Sequence, residues 1–446
     1  MKVILFNSPI YNKKVADKED FLPPLGLGYI ATQLKNEGIN VKIIDCVNDN
    51  LTVDEIINII DSEKPDTVGI NIFSVNFDLV KKIIESCYTK TNFIVGGKST
   101  KFLVDDILNF KTDNNVSVVI GEGEYITIDI IRNCVKEQPK FKKENKVIYE
   151  VSGNSIYLPR NISELELDRS FFENRMLVNK YQKVEQAIVT SRECLYNCAF
   201  CGGARSLNQD VPVRERDKKS ILRELIQIKQ MFPETESIRI LDDLFLKNRN
   251  SILKAISIFG EFDFEWRAMA HIKSLQGSED LFEMLKNSGC RELEIGIESG
   301  NEKIRSLIHK VGSVEEIYNV ITKILDSGIN VKGYFMYGFP NETITQCNDT
   351  YLLALKLYNY SLNSSGKFMT SAFQFRPYHG TELYKLLNQK ISYEHNDELD
   401  ELVGRKQFNF MAGNFSNCTT EEINRFVIET NKLDGELDNV KRNSKV

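Results

Sequence analysis

Three cysteines stand close together in "SRECLYNCAFCGG", residues 191 to 203: Cys194, Cys198 and Cys201. Sulfur at such spacing could serve a structural zinc site, a redox pair or an iron–sulfur cluster. A structural zinc site needs four nitrogen or sulfur ligands close by. All four histidines (His271, His309, His379, His395) lie far downstream, and Cys46, Cys87, Cys134, Cys290, Cys347 and Cys418 have no partner spacing. Each of those six is read as a buried free thiol. A redox pair would need only two cysteines. Cubane iron–sulfur clusters normally take four thiolates. Three thiolates leave one iron with an open coordination position, and an open position distinguishes a catalytic metal site from a structural one. Gly202 and Gly203 give the end of the loop freedom to bend.

The elements that must hold this loop fall into two series. In the first, the apolar runs "KVILF", "VKIID", "TVGINI", "NFIV" and "VSVVI" alternate with amphipathic helical stretches. Short, uniformly apolar strands separated by helices predict an open, doubly wound, Rossmann-like α/β sheet of five strands. Such sheets bind ligands beyond the carboxyl ends of their strands, at the switch in strand order. The residues expected there are Ser8, Ser74, Asn76, the pair Gly96 and Gly97, and Gly121, Glu122 and Gly123. Paired glycine loops allow backbone to approach a bulky ligand and offer free N–H donors. No G-x-G-x-x-G follows the first strand, which argues against a nicotinamide dinucleotide. The polar stretch before the second series reads as a connector, with a hairpin across "KVIYEVSGNSIYLP" turning at Gly153–Asn154.

The second series supplies six strand candidates: 184–190, 237–241, 264–270, 292–298, 330–338 and 368–376. Separated by helices, they predict a partial (β/α)6 barrel, two repeats short of the complete form, with its chemistry on the loops after the strands. The three cysteines lie on the first of those loops. The expected organisation is an α/β domain over 1–135, a connector over 136–183, the partial barrel over 184–385 and a mostly helical region over 386–446.

Composition excludes some classes. With 57 Lys+Arg against 63 Asp+Glu, the net charge is only -6, and no long basic block suggests nucleic-acid binding. The apolar run at the N-terminus is too short for a signal peptide, and no run approaches a membrane span. A cytoplasmic protein, without a membrane or nucleic-acid partner, is the expectation.

Cys194-x-x-x-Cys198-x-Phe200-Cys201 resembles the signature of the radical S-adenosylmethionine (radical SAM) enzymes. That resemblance implies a 4Fe–4S cluster whose open iron chelates the amino and carboxylate groups of SAM, with reductive cleavage to a 5′-deoxyadenosyl radical. It also implies an external electron donor such as flavodoxin or ferredoxin. Further motifs match in order: "RILDDLF" with Asp242 and Asp243, "LEIGIESG" with Glu298 and Ser299, and "GFPNET" beginning at Gly338. These residues and Phe200 are the implied SAM contacts. In "GFPNET", Asn341 replaces the glycine of the usual G-x-P-G-E-T turn, and asparagine tolerates the left-handed conformation. Residues "FLPPLGLGYIATQLKNEG" (21 to 38, with Pro24), "VGINIFS", "VGG" and "GEGE" resemble the cobalamin (B12)-binding domain that precedes the barrel in one class of this family.

Residues 1 to 270 contain no histidine, so the D-x-H-x-x-G motif that ligates cobalt from below cannot be present. Cobalamin bound here is expected base-off and without a histidine ligand, with Val75 or Asn76 towards its lower face. His271, after the third barrel strand, reads either as an acid or base at the barrel mouth or as a structural histidine. The class implies methylation of an unactivated carbon of a metabolite, natural-product intermediate or peptide. The alternatives are a radical rearrangement or ring closure without methyl transfer, and a non-catalytic cobalamin-binding protein with a degenerate barrel.

Overall fold

The structure, a computed structural model, describes residues 1–11, 22–173, 177–387, 391–395 and 410–433. It divides into two compact units, Met1–Met176 with Asn208–Arg214, and Leu177–Leu207 with Glu215–Val446.

The first unit is built on strands β1 (Lys2–Asn7), β2 (Asn40–Asp45), β3 (Thr67–Asn71), β4 (Asn92–Gly96), β5 (Asn115–Ile120), β6 (Phe141–Lys143) and β7 (Lys146–Glu150). They lie in the order β2-β1-β3-β4-β5-β7-β6, all neighbours parallel except the β6–β7 pair. The strand order reverses between β1 and β3, which makes the carboxyl ends of β1, β3 and β4 a topological switch point. Alternate residues of β1 enter different cores, because successive strand side chains point to opposite faces. Ile4 and Phe6 pack with the helices Val53–Glu63 and Phe77–Ser86, whereas Val3 and Leu5 pack with Leu25–Asn36 and Ile126–Ile131. Burial on both faces explains the uniformly apolar strands.

Two strands extend the five expected. The hairpin is not the one anticipated: β7 pairs with β5 in parallel and turns back to β6 at Glu144, whose φ is 52°. Gly153 serves a different need. A Cβ there would lie 2.0 Å from the Asp210 carbonyl oxygen, and its N–H donates to Asp210 Oδ2 at 2.7 Å. Close packing, rather than a hairpin turn, demands this glycine.

The second unit contains β8 (Leu177–Val178), β9 (Val184–Ile188), β10 (Ser237–Ile240), β11 (Glu265–Ala270), β12 (Cys290–Glu298), β13 (Asn330–Tyr337) and β14 (Phe368–Gln374). β9 through β14 are parallel in sequential order, as expected, and β8 adds to β9 antiparallel. Outward residues such as Ile238, Ala268, Leu293 and Val331 form the core with the helices Lys218–Met231, Arg249–Phe259, Val314–Asp326 and Ile344–Ser361. The opposite face carries charge. Arg267 donates to both carboxylate oxygens of Glu185, at 2.9 and 2.6 Å, and lies 3.5 Å from Glu294. A closed barrel fills its interior with branched apolar side chains; this open one is polar inside.

The helix Thr420–Asn431 covers the edge strand β14. Asn431 accepts from the Ala372 N–H and donates to the Ala372 carbonyl, at 3.0 and 2.9 Å. Pairing the edge in this way removes the exposed ladder groups that would otherwise template aggregation. Within the C-terminal region, 388–390, 396–409 and 434–446 lie outside the described residues.

Candidate functional site

The cysteine loop leaves β9 and is pinned at its middle. Ala199 is buried, donates its N–H to the Ile308 carbonyl at 3.0 Å and accepts from the Leu383 N–H at 3.0 Å. Phe200 packs edge-on against Phe339, with ring centroids 6.0 Å apart. The three thiols on either side of this anchor are unbridged and half-buried. Backbone amides point at two of the sulfurs: Tyr196 N to Cys194 Sγ at 3.4 Å and Gly203 N to Cys201 Sγ at 3.3 Å. Amide–sulfur hydrogen bonds are among the interactions that tune iron–sulfur clusters. A Cβ on Gly202 would meet nothing within 4 Å, so space is open beside the loop.

Burial pushes the Cys194 and Cys198 thiols up, while Lys310 opposes this at Cys198. Among the described residues, no three His, Cys, Asp or Glu side chains converge as the ligands of a single ion would. A cubane takes one thiolate per iron and does not require that convergence. The donor set, its amides and its open flank fit a cluster.

The neighbouring strand ends divide the expected SAM contacts into two kinds. Asp243 lies against the loop, its Oδ2 3.3 Å from where a Cβ of Gly203 would stand. Asp242 is fully buried and turned the other way, accepting from Thr190 N and Oγ1 at 2.6 Å each and from Ser191 Oγ at 2.7 Å. Its carboxylate fixes the segment that enters the cysteine loop. Ser299 is likewise committed, sharing a hydrogen bond with Thr350 Oγ1 at 3.0 Å and accepting from Asn301 N at 3.1 Å. Gly338, at φ 89°, donates to Glu342 Oε2 at 2.7 Å.

Glu298 has φ 64° and sits at a register shift between β12 and β13. A non-glycine residue held in the left-handed region at a bulge is a mark of functional sites. It accepts from Lys310 Nζ at 3.2 Å, with both side chains only 9% exposed. Burial works against the Lys310 charge, yet Glu298 and Cys198 hold its pKa above the usual ammonium range. Sequence reasoning did not include Lys310 or Tyr196. Tyr196 lay inside the motif itself, whereas nothing in the spacing links Lys310 to Glu298.

In the first unit the expected residues form a network at the carboxyl ends of β1 and β3. Ser8 donates from N and Oγ to Asn71 Oδ1, at 2.7 and 2.6 Å. Asn76 donates to Ser8 Oγ at 2.7 Å and Pro9 O at 3.2 Å, and its oxygen accepts from Phe73 N at 2.8 Å. The Asn76 amide thus ties the loop after β3 to the loop after β1. Ser74 reaches Ser99, Oγ to Oγ, at 3.2 Å. Gly97 and Gly121, at φ 109° and 95°, bring backbone within 2.5 Å of where their Cβ would lie, against Ile72 O and Val151 O respectively.

By contrast, Gly96 faces open space, and the Gly123 position meets only Ile30 and Thr127 side chains. Glu122 pairs with Arg214, and Pro24 precedes the helix Leu25–Asn36, its carbonyl accepting from Gly28 N at 3.1 Å. Apart from the Glu122–Arg214 pair, the expected residues contribute neutral polar groups and open backbone. That suits a large ligand carrying its own amides, as a corrin does.

The "Radical SAM superfamily" family model matches residues 188–354 and the "B12 binding domain" model matches residues 15–131. An uncharacterised methyltransferase of Pyrococcus horikoshii is 27% identical over 349 residues, 75% of this chain and 73% of that protein. The cytidylyl-2-hydroxyethylphosphonate methyltransferase of Streptomyces wedmorensis is 23% identical, over 71% of this chain and 69% of its own. The anaerobic magnesium-protoporphyrin IX monomethyl ester cyclase of Rubrivivax gelatinosus is 21% identical, over 79% and 65%. Among solved structures, the radical SAM methyltransferase TsrM of Kitasatospora setae, with tryptophan and a SAM analogue bound, has the same fold. Its TM-score is 0.63 at 13% identity, covering 89% of this chain and 78% of that one. The cobalamin-dependent enzyme OxsB, with aqua-cobalamin and SAM bound, gives 0.64 at 16%, covering 93% and 64%. With a cysteine-bearing partial barrel preceded by a B12-binding sheet, the chain belongs to the radical SAM superfamily, in its cobalamin-binding class.

Proposed function

We propose that this enzyme methylates an unactivated carbon of a small metabolite, natural-product intermediate or peptide. Cys194, Cys198 and Cys201 hold the 4Fe–4S cluster, and the strand ends around Gly96, Gly97, Gly121 and Gly123 hold cobalamin base-off. Together these groups supply reductive cleavage of SAM to a hydrogen-abstracting radical and a cobalt-borne methyl group. The chain's own work is to bind and orient. Asp243, Glu298 and Lys310 present charge around the cysteine loop, Asp242 fixes the entry to that loop, and Phe200 wedges it against Phe339. An external one-electron donor, of flavodoxin or ferredoxin type, completes the system.

The observation that carries this reading is the joint presence of an amide-lined cysteine triplet and a glycine-opened switch point in one chain. The relatives named as methyltransferases support it. The test is turnover with SAM carrying a labelled methyl group. A product heavier by one labelled methyl, with S-adenosylhomocysteine and 5′-deoxyadenosine in about equal amounts, is expected. An unlabelled, rearranged or ring-closed product with 5′-deoxyadenosine would overturn methylation in favour of a radical rearrangement. No cleavage of SAM by fully reconstituted protein would favour a non-catalytic role.

A further inference from the structure

His271 follows β11 directly and is 4% exposed. Its Nδ1 accepts from Lys273 N at 3.2 Å, which caps the short helix Ile272–Leu275. A neutral imidazole that accepts at Nδ1 carries its proton on Nε2. That Nε2 is enclosed and has no hydrogen-bond partner among the described residues. Buried donors almost always find an acceptor, so an orphan asks what is missing.

The surroundings narrow the answer. The imidazole stacks on Tyr196, between the first and second cysteines, with centroids 4.0 Å apart and planes 29° from parallel. Lys310, Arg305 and Lys273 are the charged groups that act on the ring; with burial, which contributes most, they depress its pKa to about 3. Arg305 is engaged with the backbone carbonyls of Ile297, Ser299, Val311 and Gly312, and Lys310 with Glu298. The surroundings of the ring are thus rich in donors and cations, and its missing partner is an acceptor beside the cysteine loop.

We infer that His271 is a positioning residue whose Nε2–H donates to an acceptor atom of the SAM bound at the cysteine loop. The inference rests on the proposed function, because that reading puts SAM at this loop. Two substitutions separate the ring's two nitrogens. His271→Asn keeps an oxygen near Nδ1 for the Lys273 amide and removes the distal donor. His271→Gln places an amide donor near Nε2.

The measurement is the SAM dissociation constant of the anaerobically reconstituted holoenzyme, by equilibrium dialysis. His271→Asn is expected to weaken binding about tenfold, the scale of one lost hydrogen bond to a buried donor, and His271→Gln to restore most of it. A second measurement uses the reconstituted wild-type holoenzyme, its cluster in the oxidised, diamagnetic state, labelled with 15N-histidine; only four histidines need assignment. The Nε2 resonance should show the Nε2–H tautomer and should move on addition of S-adenosylhomocysteine. Wild-type affinity in His271→Asn, or an Nε2 resonance indifferent to S-adenosylhomocysteine, overturns the inference and leaves a trapped water as the acceptor. In that outcome the wild-type enzyme still binds and cleaves SAM. Failure of wild-type protein to bind SAM at all would instead overturn the proposed function.

Discussion

The two sets of strand ends solve different problems with different chemistry. In the first unit, Asn76, Ser8 and Asn71 form a chain of hydrogen-bonded neutral side chains, and space is made by glycine. In the second, the strand ends carry thiols, a buried Glu298–Lys310 pair, a carboxylate against the loop and a histidine with a spare donor. A group that arrives with its own metal ligands and amides needs shape from the protein. A group assembled on the protein needs ligands and a field. The absence of histidine before residue 271 belongs to the same division.

The largest expected effect falls on the assembled site. Replacing Cys194, Cys198 and Cys201 by Ala should remove the brown absorbance, iron binding and SAM cleavage, while cobalamin binding by the first unit persists. Retained cleavage of SAM would refute the cluster assignment. Next comes Lys310→Met, which leaves the Glu298 carboxylate buried without its cation. Breaking a buried pair costs about 3–5 kcal/mol, whereas replacing both partners by apolar groups is often neutral. Lys310→Met should therefore melt early, and the double variant with Glu298→Met should recover stability but not SAM affinity. If the double variant binds SAM normally, the pair serves only the fold.

Glycines test the shape-based site at smaller cost. Gly97→Ala forces a side chain onto Ile72 O at φ 109°, a strain worth about 1–3 kcal/mol, visible as a lower melting temperature without any ligand. Gly96→Ala meets nothing within 4 Å and should melt normally. If the corrin packs there, Gly96→Ala weakens cobalamin binding all the same. Unchanged affinity would move the corrin away from this strand end.

Those two glycines also show what sequence could reveal. Both stood out as a pair, but only coordinates separate the one whose conformation the fold requires from the one that leaves room. The strands and the cysteine loop were legible because their signals are local: apolar runs, and three thiols within eight residues. The hydrogen bond from Asn76 to Ser8 spans 68 positions, and Lys310 meets Glu298 across an intervening helix, Glu302–Leu307. No period links such residues. The charged barrel interior was written in "ELEIGIE", where Glu292 and Glu294 alternate with apolar residues, a pattern that the reading of fully buried strands passed over. The hairpin was misplaced because a Gly-Asn pair signals a turn equally well when close packing is what requires the glycine.

The smallest expected effect concerns Glu342, in the turn that follows β13. It is completely buried and accepts from Gly338 N at 2.7 Å and Phe339 N at 3.1 Å. Burial raises its pKa from 4.5 to about 7, against the pull of those two amides and the Cys347 thiol. The folded protein thus holds a proton that the unfolded chain has released between those two values. Stability from this group is complete below pH 4.5, declines as pH rises and is gone above about 7. Glu342→Gln keeps an oxygen for both amides and cannot ionise. The melting temperature of the wild type relative to Glu342→Gln should therefore be highest near pH 5 and fall towards pH 7, by at most the slope of one proton, about 1.4 kcal/mol per pH unit. A difference between the two proteins that does not vary over this range would show that Glu342 is ionised throughout. The charge contrast between the two sets of strand ends would then extend to the turn after β13.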